Sequence, residues 1–269
     1  MAESCRVCNA AAHAFAHATI LGKHEIEYQR CSDCQFIQTQ QPFWLEEAYS
    51  DAIISTDVGL VHRNQSFSKI ASRLLRFVFP DATSGIDYGG GYGMFTRMMR
   101  DLGHRFVHYD PYCQNLFAKG LEAQLDGQRH DLLTAFEVWE HMAQPHQDIA
   151  KMDAMADHWL VSTMLVPEPT PAPDQWWYYA LEGGQHVALW SKRALQAVAS
   201  NYGRHLITTR KGVHLFSRRS VNRLAAAQIL SGRCGFVLDR LRRRKSLLQA
   251  DYQAALAGMN QKPSAPAAA

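Results

Sequence analysis

Three sets of residues in this chain have the types and spacing for chemistry. Cys5-x-x-Cys8 and Cys31-x-x-Cys34 are matched thiol pairs framing 22 residues. Two such knuckles can bring four thiolates to one tetrahedral metal ion, so Cys5, Cys8, Cys31 and Cys34 are the expected ligands of a structural zinc. The second set is Gly85-Ile86-Asp87-Tyr88-Gly89-Gly90-Gly91-Tyr92-Gly93. Glycine has no Cβ, so such a stretch lets a ligand approach the backbone closely. The third set holds acids, imidazoles and phenols: Glu137, Glu140 and His141 in one segment, and Tyr178, Tyr179 and His186 in another. An imidazole with an ordinary pKa near 6.5 can take a proton at neutral pH.

Positioning elements can be read around each set. Met94, Phe95, Met98, Met99 and Leu102 follow the glycines at helical spacing, and Arg105–Tyr109 reads as a strand ending at Asp110. Strand, glycine turn, helix and strand make a βαβ unit, and an acid at the tip of its second strand is placed for a ribose diol. Pro42–Tyr49 and the stretch 57–79 read as helices leading into the first strand, with Tyr49, Arg63 and Asn64 as further candidates at the site. After Asp110, a helix opening at Pro111 and Tyr112 is expected. A short third strand is expected over 121–125, with Asp126 as the candidate for contact with a base. Asp131–His141 is the fourth strand and its tip, 145–155 a helix, and 159–166 an apolar fifth strand. The four prolines from Pro167 to Pro173 lead to Trp176, Trp177, Tyr178 and Tyr179, a flat aromatic surface suited to a ring-shaped ligand. Lys192–Tyr202 is a helix, and 205–209 with 213–216 a closing hairpin turning at Gly212. The tail from Val221 to Met259 reads as helical, with a basic run from Arg240 to Lys245.

The dinucleotide fingerprint G-x-G-x-x-G fails, because it would need glycine at Met94 or Thr96. D-x-G-x-G-x-G fits from Asp87 to Gly93. This resembles motif I of the class I S-adenosylmethionine (SAM)-dependent methyltransferases, and the strand tip with Glu140-His141 resembles their motif IV. The resemblance implies an α/β fold: a Rossmann-like sheet with helices on both faces, a small N-terminal zinc-ribbon-like module and a helical C-terminal tail. It implies SAM as cofactor, held by Asp87, Gly89, Gly90, Gly91, Gly93, Asp110, Pro111, Phe136 and Glu137. The segment around His186 resembles the Glu-His segment of zinc-containing sugar C-methyltransferases, with Gln185 in place of the glutamate. By that resemblance His186 is the expected base and His141 its competitor, with Tyr178 or Tyr179 orienting the acceptor.

Composition sets the outer limits. The 269 residues are 47% hydrophobic, enough for one catalytic domain and a small module. The division expected is 1–41 for the zinc module, 42–217 for the methyltransferase domain, 218–262 for a helical extension and 263–269 for a disordered tail. A net charge of +3, with only Arg6, Lys23 and Arg30 as cations in the module, argues against nucleic acid. The first residues show no signal-peptide pattern, and no run of 18 apolar residues occurs, so a soluble cytoplasmic protein is expected. The six cysteines then point to metal and free thiols, with Cys113 and Cys234 standing alone. The basic run is a solvated face or a patch for an anionic substrate, a lipid headgroup or RNA. The leading function is methyl transfer to a small molecule, such as a nucleotide-linked sugar or another glycan or natural-product precursor. The alternatives are a ribosomal-RNA base methyltransferase that uses its zinc module on RNA, and a SAM-binding regulatory protein without turnover.

Overall fold

The structure is a computed structural model describing residues 3–49, 58–124, 127–232 and 235–260. Its strands form two sheets. The N-terminal one comprises β1 (Glu3–Ser4), β2 (Ala11–Ile20), β3 (His24–Cys31) and β4 (Ile37–Thr39), all antiparallel neighbours in chain order. Two helices follow, α1 (Leu45–Ala48) and α2 (Leu60–Phe77). The central sheet then begins with β5 (Gly85–Tyr88), α3 (Met94–Asp101) and β6 (Phe106–Tyr109). Next come β7 (His130–Phe136), a 3-10 turn at Trp139–His141, α4 (Pro145–Met155) and β8 (Ala156–Ser162). Two further 3-10 turns, at Pro173–Gln175 and Trp177–Tyr179, lead to β9 (Ala188–Leu189), α5 (Lys192–Asn201), β10 (His205–Thr208) and β11 (Val213–Ser217). Three helices follow among the described residues: α6 (Arg223–Leu230), α7 (Gly235–Leu238) and α8 (Leu248–Asn260).

The central sheet runs β10-β11-β8-β7-β5-β6. Its four strands β8, β7, β5 and β6 are parallel, and β11 enters antiparallel as one arm of the expected hairpin. Adjacent residues on each strand point to opposite faces, as strand geometry requires. Leu132, Leu160 and Leu215 pack with Leu74, Met99 and Ile229 of α2, α3 and α6. Leu133, Val161 and Phe216 pack on the other face with Ile149 and Met152 of α4 and Leu195 and Val198 of α5. Near-continuous apolar strands are what a sheet covered on both faces demands. The order of connections reverses at β5, whose neighbours are β6 on one side and β7 on the other. Open α/β sheets bind ligands at such a switch point, beyond the carboxyl ends of the strands.

Several expectations need correction. No helix follows Pro111, because other acceptors take its N–H groups. The Asp110 carboxylate accepts from Tyr112 and Cys113 N–H, and the Tyr92 carbonyl accepts from Leu116 and Phe117 N–H. The third strand shrinks to a single parallel bridge, His108 to Glu122, while Asp126 and Cys234 lie outside the described residues. The fifth strand sits three residues earlier than expected, at Ala156–Ser162. Among the described residues the helical tail is divided into three helices, and the basic run lies between α7 and α8. Part of that run is not a solvated face: Arg242 donates to the Arg76 carbonyl, and Arg244 donates to the Pro80 and Ala82 carbonyls. The disordered tail expected from residue 263 also lies outside the described residues. Among the described residues no helix is long and apolar enough to cross a membrane.

The boundary expected at residue 41 divides the sequence but not the core. The N-terminal sheet takes its fifth strand, β9, from the segment after β8, through Ile37–Leu189 and Gln38–Ala188 pairing. Phe36 tilts against Trp190, and Trp44 donates its indole N–H to the Gly184 carbonyl at 2.7 Å.

Candidate functional site

The glycine stretch forms the turn from β5 into α3. Gly89, Gly91 and Gly93 have φ of 67°, 56° and 83°, where glycine alone is unstrained. Gly90 is constrained differently: a Cβ there would stand 2.5 Å from Asp87 Oδ2 and 2.6 Å from His108 Nδ1. The turn is pinned from beneath by the Tyr109 carbonyl, which accepts from both Gly89 and Gly90 N–H. Asp87, expected as a cofactor ligand, is only 2% exposed and lies under the turn, accepting from Thr134 at 2.8 Å. Burial pushes its carboxyl up to about 7, against the hydrogen bonds from Thr134 and Thr96. Its position is that of a support for the loop.

Asp110 stands at the tip of β6, across the turn from β5. Its Oδ2 accepts from Gly91 N–H at 2.8 Å, and its Oδ1 from Tyr112 and Cys113 N–H. A carboxylate offers about four acceptor sites. Three are taken here, so Oδ2 keeps room for one hydroxyl of an incoming ligand. Pro111 is exposed beside it. Phe136 at the end of β7 stacks on Phe67 at 4.3 Å and meets Phe95 edge-on, so its ring is mainly packing. The next residue, Glu137, has a φ of 54°, uncommon for a residue with a side chain. Its N–H donates to Ser162 Oγ, and the Ser162 hydroxyl donates back to Glu137 Oε1 at 2.6 Å. Backbone strain of this kind gathers at ligand sites. The lead-in residue Asn64 donates to the Leu60 carbonyl within α2.

The 3-10 turn beyond β7 carries Glu140 and His141, and the loop after the 3-10 turn at Trp177–Tyr179 carries His186. Val187 N–H donates to the Glu140 carbonyl at 2.9 Å, which ties the two segments together. One carboxylate oxygen of Glu140 and one ring nitrogen each from His141 and His186 lie within 4.8 Å of one another. The two imidazoles meet edge to face, with centroids 5.0 Å apart. His186 Nδ1 is 2.6 Å from the Tyr178 carbonyl, and His141 Nδ1 is 3.2 Å from the Gln185 carbonyl and 2.9 Å from the Tyr49 hydroxyl. A carbonyl only accepts, so each Nδ1 carries the proton and each Nε2 a lone pair. Burial lowers His186 to about 4 and His141 to about 3, the neighbouring His186 adding to the latter. Burial raises Glu140 to about 8, with the charge of Glu137 adding to it. At neutral pH the cluster therefore holds uncharged imidazoles.

Tyr178 and Tyr179 are not where the sequence reading puts them. Tyr178 lies behind the cluster, donating its hydroxyl to Glu140 Oε1 at 2.7 Å. Tyr179 is removed altogether: it packs edge-on against Tyr28 of the N-terminal sheet and donates to the Pro171 carbonyl. Of the four aromatics only Trp177 is open to solvent, at 74% exposure, so the expected flat surface is mostly core. Gln185 donates to the Ala48 carbonyl of α1 rather than entering the cluster. Tyr49 does enter it, and only its place in the lead-in hinted at that. The depth of Glu140 had no signal at all in the sequence.

The two cysteine knuckles fold alike. Cys5 N–H donates to the Ala10 carbonyl and Cys31 N–H to the Phe36 carbonyl, five residues on in each case. Asn9 and Gln35, each directly after a second cysteine, take φ of 63° and 62°. The four sulfurs lie within 4.8 Å of one another, with Cys5–Cys34 at 3.6 Å and Cys8–Cys31 at 3.4 Å. A tetrahedral zinc with bonds of about 2.3 Å sets sulfurs about 3.8 Å apart, so the four thiolates fit such an ion. His17 and His24 lie near Glu27 and Glu47. The Ser191 hydroxyl donates to the Cys34 carbonyl, linking this centre to the N-cap of α5.

No curated protein matches the chain. Among solved structures it is similar to an O-methyltransferase family 2 protein from Planctomyces limnophilus, crystallised with apigenin. That match has 16% identity over 64% of each chain and a TM-score of 0.43. It is also similar to human N-acetylserotonin methyltransferase in complex with SAM, at 13% identity over 66% of each chain and a TM-score of 0.41. A third is the mitomycin 7-O-methyltransferase MmcR, at 16% identity over 64% of this chain and 59% of that one, with a TM-score of 0.39. The chain thus spans just under two-thirds of the length of these structures. The model of the family described as "Methyltransferase domain" matches residues 62–209, more than half of the sequence, and the chain belongs to that family.

Proposed function

We propose that this protein transfers a methyl group from SAM to a small-molecule acceptor, a sugar or another glycan or natural-product precursor. The observation that carries the reading is the pairing of two half-sites on adjacent strands. The glycine turn and Asp110 lie beyond β5 and β6, and the Glu140–His141–His186 cluster lies beyond β7, at the same edge of the sheet. SAM would be held by the turn from Gly89 to Gly93, with its ribose on Asp110. The turn suits it because its glycines carry no side chain to keep a ligand from the backbone, and a Cβ built at Gly91 would meet nothing within 4 Å. The cofactor supplies an electrophilic methyl on a sulfonium, and the residues of the chain do the rest. They hold the acceptor in line and remove its proton, which accounts for much of the rate such sites achieve.

His186 is the proposed base. Its Nδ1–H is fixed on the Tyr178 carbonyl, so Nε2 carries the lone pair that can accept a proton. His141 is oriented the same way and is the competitor. The ring of Tyr178 supports His186 from 4.6 Å, and its carbonyl sets the tautomer, which makes it a positioning residue. Cys5, Cys8, Cys31 and Cys34 would hold a structural zinc whose role is to fix the N-terminal sheet and, through β9, the His186 loop. Arg6 donates to the Thr39 carbonyl of its own sheet, which does not favour an RNA-binding role.

The test is mass spectrometry of products after incubation with SAM and a library of nucleotide-linked sugars and hydroxylated precursors. A mass gain of one methyl in a defined acceptor is expected. His186→Ala should bind SAM as the wild type does and turn over on the order of 10²–10⁴ times more slowly. Near-normal turnover in His186→Ala, with loss in His141→Ala, would transfer the role to His141.

A further inference from the structure

The Glu140–His141–His186 cluster has features that accepting a proton does not require. Both imidazoles have Nδ1 against a backbone carbonyl, so both share one tautomer and each Nε2 carries its lone pair. One histidine would suffice as a base. Glu140 is fully buried, with Oε1 fixed by the Tyr178 hydroxyl, while its Oε2 is buried and has no hydrogen-bond partner among the described residues. A buried carboxyl oxygen left without a partner is unfavourable, because nothing replaces the water it loses on folding.

We propose that Glu140, His141 and His186 form a binding site for a divalent first-row transition-metal cation, distinct from the four-cysteine centre. The donors are a carboxylate oxygen and two imidazole nitrogens, all within 4.8 Å of one another. Histidines that ligate metals characteristically donate their other N–H to a carbonyl or carboxylate, which is the arrangement of both rings here. Two nitrogens and one oxygen suit zinc, cobalt, nickel or iron. Magnesium and calcium prefer oxygen alone. Three protein ligands leave a coordination position open, as catalytic rather than structural metal sites do. Tyr49, whose hydroxyl reaches His141 Nδ1, and Tyr178, on Glu140, complete the outer layer of contacts.

The inference rests on the reading of this cluster as the acceptor site. A cation in it would present its open position to the acceptor and acidify a hydroxyl bound there. His186 would then be a ligand, and it would serve as the base only in cation-free protein. Metal content would decide which of the two routes to a deprotonated acceptor operates.

The experiment is a titration of Co²⁺ into full-length protein already carrying one zinc on its cysteines. One further equivalent of Co²⁺ is expected, with weak visible ligand-field bands and without the intense near-ultraviolet bands of thiolate coordination. In His186→Ala and in Glu140→Gln the apparent affinity should fall at least about tenfold, while calorimetry shows SAM still bound and so the fold intact. Absence of a second equivalent, or Co²⁺ binding unchanged in both variants, overturns the site. Wild-type protein that binds Co²⁺ here but neither binds SAM nor methylates anything would sink the methyltransferase proposal and leave the metal site standing.

Discussion

Gly90→Ala tests the glycine turn more sharply than any ligand contact does. Gly90 does not have a positive φ, so the substitution brings no left-handed strain. Its cost is steric. The new methyl would lie 2.5 Å from Asp87 Oδ2, 2.6 Å from His108 Nδ1 and 3.0 Å from Asp87 Cγ, whereas ordinary contact begins at 3.4 Å. Asp87 and His108 are both buried, and Asp87 is fixed by Thr134, so the turn itself must move outward by several tenths of an ångström or more. Overpacking a buried site costs about 1–3 kcal/mol. For a chain of this size that lowers Tm by roughly 2–12 °C. The turn would move into the space proposed for the methionyl part of SAM, so affinity should fall by about tenfold or more. Gly91→Ala is the control. Nothing lies within 4 Å of its added methyl, but its φ of 56° is left-handed, so about 1–2 kcal/mol of backbone strain is expected without a clash. Scanning calorimetry and titration calorimetry with SAM read both quantities. Gly90→Ala with wild-type Tm and wild-type SAM affinity would refute the packing argument.

Three other predictions address separate parts of the molecule. The purified protein should carry one zinc on Cys5, Cys8, Cys31 and Cys34. Metal analysis of a Cys31→Ser variant that retains its full zinc would contradict that assignment. Asp110→Asn should weaken SAM binding roughly ten- to a hundredfold by loss of a charge-assisted hydrogen bond, and an unchanged dissociation constant in calorimetry would remove Asp110 from the site. The docking of α8 should depend on pH through Asp251. The bidentate Arg100 guanidinium, with Arg97 adding to it, holds this carboxyl below its ordinary value against the opposing effect of burial. A depressed carboxyl pKa adds stability above the unfolded value near 3.9 and loses it as pH falls through the lower folded value. Wild type minus Asp251→Asn should therefore show a Tm difference at pH 7 that shrinks below about pH 4. A difference independent of pH would show that the ion pair contributes nothing.

The sequence carried the fold where local chemistry and periodicity agreed. The glycines at 89, 91 and 93 signalled a turn because their backbone needs φ that other residues resist, and the helix at 145–155 and the hairpin around Gly212 were found within a residue or two. It failed where tertiary partners decide. The helix expected after Pro111 does not form because Asp110 and Tyr92 capture its N–H groups, and neither contact has a periodic signature. Strand β9 is two residues long and exists only because β4 offers an edge. Tyr178 and Tyr179 are adjacent in sequence, yet one reaches Glu140 and the other the N-terminal sheet. Aromatic residues in a row cannot reveal which of them faces a ligand. His141 and His186 were legible as candidates by type, but their shared cluster depends on a backbone bond from Val187 to Glu140 across 47 residues.

The β4–β9 pairing bears on how the chain is made. During synthesis the cysteine knuckles and β2–β4 leave the ribosome 150 residues before Ala188, the partner of Gln38. At about 5–20 residues per second, that interval is roughly 8–30 s. A nascent chain could bind metal in that time, yet the outer edge of β4 would stay open, and Ile37, Gln38 and Thr39 are all buried in the finished protein. Exposed strand edges recruit other chains. Slower translation between residues 40 and 188, or scarce zinc in that window, would lengthen the exposure and raise the fraction of new chains that aggregate.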